Sequence, residues 1–314
     1  MKKAFAISIL TYFIVALTIM LAALFAQGEI WPPILLSLLL LIPLYYWKKS
    51  YGERVELSKE VNGKSMGTVF FLVFALFFLA LLVRVPSVLL FNMPYEKLPL
   101  IYLLTLTIIL VERTDVSAFG FKTQNLEKAI SYGIAFYAIL GGVVLFIYYL
   151  LIYVFTNQMP IASYSSSSFF LSMPFQTLLV GISEEGLFRG YIQTHLQKFS
   201  FYKAIFAQAI LFGVWHFVWN LYPFNPFAMA QYIGTTFFIG LMFGYFYSKA
   251  KNLVPLILTH GIWNSVPAGI AENSEALALF EQNPFFSQIL AWPLAYAMAA
   301  LAAYLFIKFF VKEI

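Results

Sequence analysis

The chain has 314 residues, of which 62% are hydrophobic and only 11% are charged. Soluble domains carry about 25% charged residues, so this composition excludes an ordinary soluble protein and is typical of an integral membrane protein. Cysteine is absent, which excludes a disulfide framework, thiolate metal sites and a cysteine nucleophile. The formal charge of +5 does not indicate a nucleic-acid partner, because the basic residues lie where a membrane topology requires them.

Apolar stretches divide the chain into ten predicted transmembrane crossings, since about 20 apolar residues span the hydrocarbon core as a helix. The first has too long an apolar run and too poor a small-residue cleavage pattern for a secretory signal peptide, so we expect it to be retained. The predicted fold class is all-α, a polytopic helical bundle with about eight to ten crossings. The approximate bounds are 4–26, 31–47, 67–91, 98–112, 129–155, 168–197, 203–221, 228–248, 252–270 and 286–307.

The basic residues are distributed unequally between the two sides of the predicted bundle. With the N-terminus in the cytoplasm, sixteen of the 19 basic residues fall on the cytoplasmic side, and Lys97 is alone in the outside gaps. Arg84 and Arg189 lie within crossings. Cytoplasmic loops of membrane proteins carry an excess of Lys and Arg, so both termini are predicted to be cytoplasmic. We expect a multi-pass protein, in the cytoplasmic membrane if the source is prokaryotic.

Three charged side chains lie close together in the sixth predicted crossing. An ionised side chain within hydrocarbon is unfavourable by several kcal/mol, so this cluster indicates a special role. Glu185 and Arg189 are four residues apart, which puts them on one helix face where they can pair. Glu184 is five residues from Arg189 and faces elsewhere, without a partner on its own helix. The alternative interpretation is that all three form one structural ion network.

Two of the three histidines also lie in apolar segments, in the seventh and ninth predicted crossings. Phe212 precedes His216 by four residues, and Asn264 follows His260 by four, so each pair shares a helix face. A lone histidine in a core is usually just hydrogen-bonded in place. Two of them, with an amide one turn on and Glu184 on another helix, indicate a functional site.

The familiar catalytic templates are missing from this sequence. It has no G-x-S-x-G elbow, no H-E-x-x-H pair and no Walker loop. Glu184 could deprotonate a water for attack on a peptide carbonyl, and one of the two histidines could hold that water or protonate the leaving amine. An asparagine amide together with a histidine N–H could stabilise the oxyanion. These residues therefore predict a water-activating hydrolase within the membrane.

Three motifs in this order resemble the signature of the CAAX protease and bacteriocin-processing family. They are Glu184-Glu185-x-x-x-Arg189, Phe212-x-x-x-His216 and His260-x-x-x-Asn264. The family includes the type II CAAX prenyl endopeptidases, also called Ras-converting enzymes, and prokaryotic proteins once called abortive-infection proteins. The stretch Phe119-Gly120-Phe121, followed by Asn125, also resembles a segment found upstream in this family. The motifs lie within residues 174–268, under a third of the chain.

The resemblance implies a membrane bundle with a conical catalytic cavity and a metal-independent glutamic endopeptidase without a cofactor. Glu184 would activate the water with the help of His216, and His260 and Asn264 would form the oxyanion site. The supporting residues would be Glu185, Arg189 and Phe212. The expected partners are a peptide or protein substrate, prenylated or otherwise membrane-associated, and the lipid bilayer; the oligomeric state is left open.

The ten predicted crossings exceed the eight typical of this family. We therefore expect residues 1–66 to form an accessory N-terminal transmembrane hairpin. Residues 67–314 would then form the helical bundle that contains the protease region.

Three other functions remain open from the residues alone. A zinc protease could use Glu184, His216 and His260 as metal ligands with one position left for water. A transporter or proton relay could use the same buried glutamate and histidines. The third alternative is a family member that acts as a non-catalytic scaffold.

Overall fold

The computed structural model describes residues 2–61, 63–158, 162–164, 166–272 and 275–314. In these ranges the chain is overwhelmingly helical, with two strands of three residues each. The α-helices are α1 Lys2–Phe25, α2 Trp31–Arg54, α3 Met66–Phe91, α4 Lys97–Leu106, α5 Leu126–Thr156, α6 Ser166–Phe175, α7 Ile182–Glu185, α8 Thr194–Gln197, α9 Phe201–Val214, α10 Pro226–Ala250, α11 Val254–Gly269, α12 Glu275–Glu281 and α13 Trp292–Phe310.

Tighter and wider helical turns extend or connect several of these helices. The 3₁₀ turns are Val116–Phe119 and Phe217–Asn220. The π-helical turns are Thr107–Val111, Gln176–Gly181, Gly186–Gln193 and Phe285–Ala291. Such π-turns are rare and are often found at functional sites. Two of them flank α7, the short helix that carries Glu184 and Glu185.

The predicted fold class is confirmed: the protein is a multi-pass membrane protein of the all-α class, with one pair of short strands among the described residues. Among the described residues, seven helices are long and apolar enough to cross a membrane. The predicted crossings 98–112, 168–197 and 252–270 correspond to shorter or segmented helices. Their bounds are Lys97–Val111, Ser166–Gln197 with its π-turns, and Val254–Gly269.

The chain divides into two compact units, which are described separately. The first unit comprises residues 1–123 and 178–244. Within it the Tyr12 hydroxyl of α1 donates to the Leu79 carbonyl of α3 at 2.7 Å. The Tyr102 hydroxyl of α4 donates to the Leu40 carbonyl of α2, also at 2.7 Å. Helices α1 and α2 thus pack into the first unit, and the role of residues 1–66 as an accessory hairpin stays a prediction.

The second unit comprises residues 124–177 and 245–314, and α5 packs against both α11 and α13. One face of α13 carries small side chains four residues apart, at Ala295, Ala299 and Ala303, all fully buried. Small residues at this spacing let two helices approach closely in a membrane. The strands Ala162–Tyr164 and Ile270–Glu272 pair antiparallel in this unit.

A glycine on α5 sets how closely α11 can approach. A Cβ atom on Gly133 would lie 2.7 Å from the Pro255 carbonyl oxygen and 3.2 Å from Leu258 Cβ. The Thr259 hydroxyl donates to the Gly133 carbonyl at 2.9 Å across the same contact. Because the obstacle is backbone, a larger residue at this position requires the two helices to separate.

We expect Gly133→Ala to destabilise the protein by about 1–3 kcal/mol, the usual effect of overpacking a close contact. Gly142→Ala is the matched control, because it lies on the same helix with no atom within 4 Å of its added Cβ. The control should be neutral or slightly stabilising, since alanine has the higher helix propensity. Thermal unfolding in detergent measures both, and equal midpoints for the two variants would contradict the close approach.

Candidate active site

Glu184 lies on α7 in the first unit, and only 2% of its surface is exposed. Two donors from other parts of the chain converge on its Oε1 atom. Lys97 Nζ lies 2.5 Å from it, and the indole Nε1 of Trp215 donates to it at 2.9 Å. The sequence predicted no partner for Glu184 on its own helix, and the structure supplies partners from two other elements.

Lys97 belongs to a network of four buried charges. Its Nζ atom also lies 2.6 Å from Oε1 of Glu96, the residue before α4. The same Glu96 oxygen accepts from Arg84 Nη1 at 2.5 Å, and Arg84 Nη1 is 3.9 Å from Glu184 Oε1. Two cations thus balance two carboxylates, as buried charges require.

The placement of Lys97 corrects the prediction made from the charge count. The sequence predicts Lys97 in an outside loop, whereas in the structure it is the first residue of α4 and only 2% of its surface is exposed. Arg84, whose role the sequence left open between binding a carboxylate, snorkelling and pairing with a loop acid, pairs with Glu96. The signal that could have been used is the adjacent pair Glu96-Lys97 at the start of a strongly apolar segment. A charge pair of that kind is as unusual next to hydrocarbon as the pair Glu184-Glu185.

Trp215 is fixed by its surroundings as well as by its hydrogen bond. It is fully buried, and its ring packs against Phe77 and Phe188 at centroid distances of 6.0 and 5.7 Å. The Arg84 guanidinium lies 4.4 Å and the Lys97 ammonium 5.1 Å from its ring centroid, both within cation–π range. The indole therefore connects the two cations with the carboxylate.

His216 lies just after the end of α9 and approaches the second oxygen of Glu184. Its Nε2 atom is 4.0 Å from Glu184 Oε2. Its Nδ1 atom lies 2.8 Å from the Phe212 carbonyl oxygen. A carbonyl can only accept, so Nδ1 carries the proton and Nε2 of the neutral ring is an acceptor. Phe212 also packs edge-on against the imidazole at 4.8 Å, which fixes the ring plane.

Glu185 and Arg189 pair as their spacing predicted, with Arg189 Nη1 3.2 Å from Glu185 Oε1. Both are fully buried. The guanidinium also lies over the rings of Phe212 and Phe243, at 4.1 and 5.1 Å. This pair thus joins the glutamate-bearing segment to α9 and α10.

The segment Phe119-Gly120-Phe121 packs on the same helical stretch. The Phe121 ring lies against Gly186, where an added Cβ would be 2.8 Å from its Cζ atom. Gly120 has a φ of +89°, which favours glycine. The Phe119 ring stacks on Tyr191 at 5.5 Å. The upstream motif therefore supports the π-turn that follows Glu185.

Asp115 begins the 3₁₀ turn Val116–Phe119 by accepting from the Ser117 backbone N–H at 2.8 Å. Burial raises the pKa of the Asp115 carboxyl. The hydrogen bonds from Ser117 and the nearby positive charges of Lys48 and Lys59 outweigh burial, so that pKa is lowered overall. The carboxylate form that caps this turn is thus the favoured one.

The third histidine is also buried, which the sequence analysis missed. His195 Nε2 lies 3.0 Å from Glu112 Oε1, and the Tyr191 hydroxyl donates to the same oxygen at 2.5 Å. Tyr191 and His195 are four residues apart, so one helix face meets the end of the π-turn Thr107–Val111. This cluster ties the two elements together and shares no residue with the Glu184 network.

His260 and Asn264 lie in the second unit, on one face of α11. His260 is buried, and Asn264 Nδ2 donates to Gln176 Oε1 at 3.1 Å. Gly261 lies so close to Thr177 that an added Cβ would overlap the threonine side chain. α11 and residues 176–177 are therefore in intimate contact beside the two motif residues.

Comparison with known protein families finds a match for one part of the chain. Residues 166–266 match the family model described as type II CAAX prenyl endopeptidase Rce1-like. The chain carries an Rce1-like domain. This domain contains all three motifs, whereas Arg84, Glu96 and Lys97 lie outside it. No curated protein and no solved structure matches the chain.

The Rce1-like domain supports a CAAX-type intramembrane protease, and with it a peptide or protein substrate in a lipid setting. Within the described ranges, no group of three or more His, Cys, Asp or Glu side chains is arranged to hold a metal ion. The roles of the individual motif residues stay predictions at this point.

We expect Glu185→Ala and Arg189→Ala each to lower both activity and thermal stability, because either change leaves a buried charge without its partner. Breaking a buried pair in this way costs about 3–5 kcal/mol. The double variant Glu185→Gln/Arg189→Met should recover much of that stability. Glu53→Ala, an exposed glutamate of the same unit, is the control and should change neither quantity.

Thermal unfolding and peptide cleavage in detergent measure these variants together. If Glu185→Ala abolished cleavage at full stability while Glu184→Ala were tolerated, the roles of the two glutamates would have to be exchanged.

Proposed function

We propose that this protein is an intramembrane glutamic endopeptidase that hydrolyses a peptide bond with a water activated by Glu184, without a metal ion. The observation that carries the proposal is the unequal setting of the two Glu184 oxygens. Oε1 is held by Lys97 and Trp215, and Oε2 lies 4.0 Å from His216 Nε2. A positioned carboxylate beside a positioned imidazole is the arrangement that general-base activation of water needs.

The distance between Oε2 and Nε2 suits one water between them. Two hydrogen bonds of about 2.8 Å each can bridge a 4.0 Å gap when they meet at an angle. Both atoms are acceptors, because the Phe212 carbonyl fixes the His216 tautomer. The water would donate one hydrogen to Glu184 and one to His216, and its oxygen lone pairs would remain available for attack.

The reaction that we propose from this geometry is as follows. Glu184 takes a proton from the water as the water oxygen forms a bond to the peptide carbonyl carbon, and the carbonyl electron pair moves to its oxygen. The tetrahedral oxyanion collapses, the C–N bond breaks, and Glu184 returns the proton to the leaving nitrogen. The products are a carboxylic acid and an amine, and the glutamate ends as it began.

We assign stabilisation of the oxyanion to His260 and Asn264. An imidazole N–H and an amide N–H are both suitable donors to a developing negative oxygen. The assignment rests on the motif resemblance and on their shared face of α11. Glu185, Arg189 and Phe212 are proposed as supporting residues, since they fix the helices that carry Glu184 and His216.

Electrostatics favours the metal-independent mechanism over the zinc alternative. Glu184 Oε1 already has Lys97 at 2.5 Å and Arg84 at 3.9 Å. A divalent cation on this carboxylate would lie close to two buried positive charges, and like charges repel strongly at low dielectric. The same two charges oppose a singly charged proton less than a doubly charged zinc ion, because the repulsion scales with the charge.

For the substrate we propose a peptide at the membrane surface, either CAAX-type with a prenylated C-terminus or another membrane-associated peptide. The Rce1-like domain supports the first class. Cleavage rates measured with an internally quenched farnesylated CAAX peptide and with its unprenylated counterpart would distinguish the two substrate classes.

Glu184→Gln and His216→Ala should each reduce cleavage by at least about 10²-fold, as expected for loss of a general base or its partner. Thermal unfolding in detergent should show that both variants fold. Glu127→Gln, at an exposed glutamate in the first turn of α5, is the control and should cleave at the wild-type rate. Full activity of Glu184→Gln would refute the proposed mechanism.

Chelators test the metal independence separately. Cleavage by the purified protein should persist in EDTA and in phenanthroline, because no step requires a metal ion. The same chelators applied to a known zinc protease serve as the control. Loss of activity that zinc restores would favour the zinc mechanism instead.

A further inference from the structure

We propose that Lys97 is a positioning residue of this hydrolytic site, an inference that rests on the proposed function of Glu184. Lys97 lies 69 residues before the Rce1-like domain begins at residue 166, so the family match does not assign it. Its role would be to hold Oε1 of Glu184 so that Oε2 is presented to the water and to His216.

The contacts of Lys97 fix the carboxylate from one side. The ammonium is 2.5 Å from Glu184 Oε1, and the Trp215 indole approaches the same oxygen at 2.9 Å. Two donors on one oxygen define both the position and the rotation of the carboxylate. Oε2 is therefore the oxygen that faces His216, and rotation of the carboxylate would break both hydrogen bonds.

The second contact of Lys97 explains how the site tolerates the change of charge during the reaction. When Glu184 accepts a proton it becomes neutral. A lysine that was paired with Glu184 alone would then be left as an uncompensated buried cation. Lys97 keeps Glu96 as a counter-ion at 2.6 Å. The shared position of Lys97 between two carboxylates thus lowers the cost of protonating Glu184.

The net positive charge that the network gains when Glu184 is protonated also has a role in the proposed reaction. Arg84, Lys97, Glu96 and Glu184 sum to zero in the resting state. After Glu184 is protonated, the network carries one net positive charge at the moment when the substrate oxygen becomes negative. Positive charge that is fixed in place before the reaction stabilises such an oxyanion without reorganisation.

The ammonium is better suited to this position than a guanidinium. It is a compact point charge that bridges Oε1 of Glu96 and Oε1 of Glu184, whereas arginine presents a planar fork. Lys97→Arg should therefore keep the positive charge and lose part of the geometry.

A purely structural role, in which Lys97 only neutralises its two carboxylates, predicts a different result from a positioning role. Lys97→Met leaves one excess buried negative charge and is expected to unfold at a lower temperature. The double variant Lys97→Met/Glu96→Gln removes one charge of each sign and restores the balance with Arg84 and Glu184. If the role is structural, restored balance should restore activity together with stability.

The experiment measures kcat, KM and thermal unfolding in detergent with an internally quenched farnesylated CAAX peptide. We expect the double variant to fold with a kcat about 10–100-fold below wild type and a KM within about twofold, the signature of an interaction made in the transition state. The kcat of Lys97→Arg should fall between the kcat of the double variant and that of wild type. Lys203→Met, at an exposed lysine of the same unit, is the control and should match wild type.

Wild-type kcat in the double variant, or a raised KM at unchanged kcat, would overturn the positioning role. If neither methionine variant folds, the Lys97→Arg variant provides the test. A wild-type kcat in folded Lys97→Arg would also contradict the positioning role of Lys97. Glu184→Gln measured in parallel separates the two proposals. Activity of that variant defeats the proposed function, whereas its inactivity beside a fully active double variant defeats only the inference on Lys97.

Discussion

The need to neutralise charge that is buried in an apolar bundle governs the centre of this protein. Four ionised groups lie within hydrogen-bond or ion-pair distance of their neighbours, and each carboxylate meets at least one cation. Pairing of this kind makes burial of charge tolerable, and removing one member is costly because it strands another. The same pairing gives Glu184 a fixed orientation, so the stability of the site and its proposed chemistry depend on the same contacts.

The surrounding helices serve to hold this network in place. Aromatic rings enclose Trp215, and the pair Glu185–Arg189 joins the glutamate-bearing segment to its neighbours. The π-turns on either side of α7 coincide with close packing, most clearly where Gly186 meets Phe121. Because Gly186 has no side chain, the Phe121 ring can lie against the helix, and a larger residue at position 186 would displace that ring. The buried cluster of Glu112, Tyr191 and His195 performs the same joining task at the other end of this helical stretch.

Much of the fold follows from the sequence because the membrane restricts the choices. Long apolar segments must form helices there, since backbone groups find no other partners in hydrocarbon. The seven long helices found among the described residues and the pair Glu185–Arg189 are therefore predictable from composition and spacing alone. Three of the ten predicted crossings correspond to shorter or segmented helices. In two of them π-turns end or interrupt the helix, and apolar content does not reveal where such turns occur.

The sequence by itself determined the membrane class, the helical fold, the three motifs and the separation of Glu184 from the neighbouring ion pair. Only the tertiary structure decided what Glu184 contacts. Its partner Lys97 is 87 residues away along the chain, and Arg84 reaches the Trp215 carbonyl across 131 residues. Helical periodicity relates residues three or four positions apart and carries no information on such distant pairs. A lysine counted as a loop residue thus became part of the proposed hydrolytic site once the helices were packed.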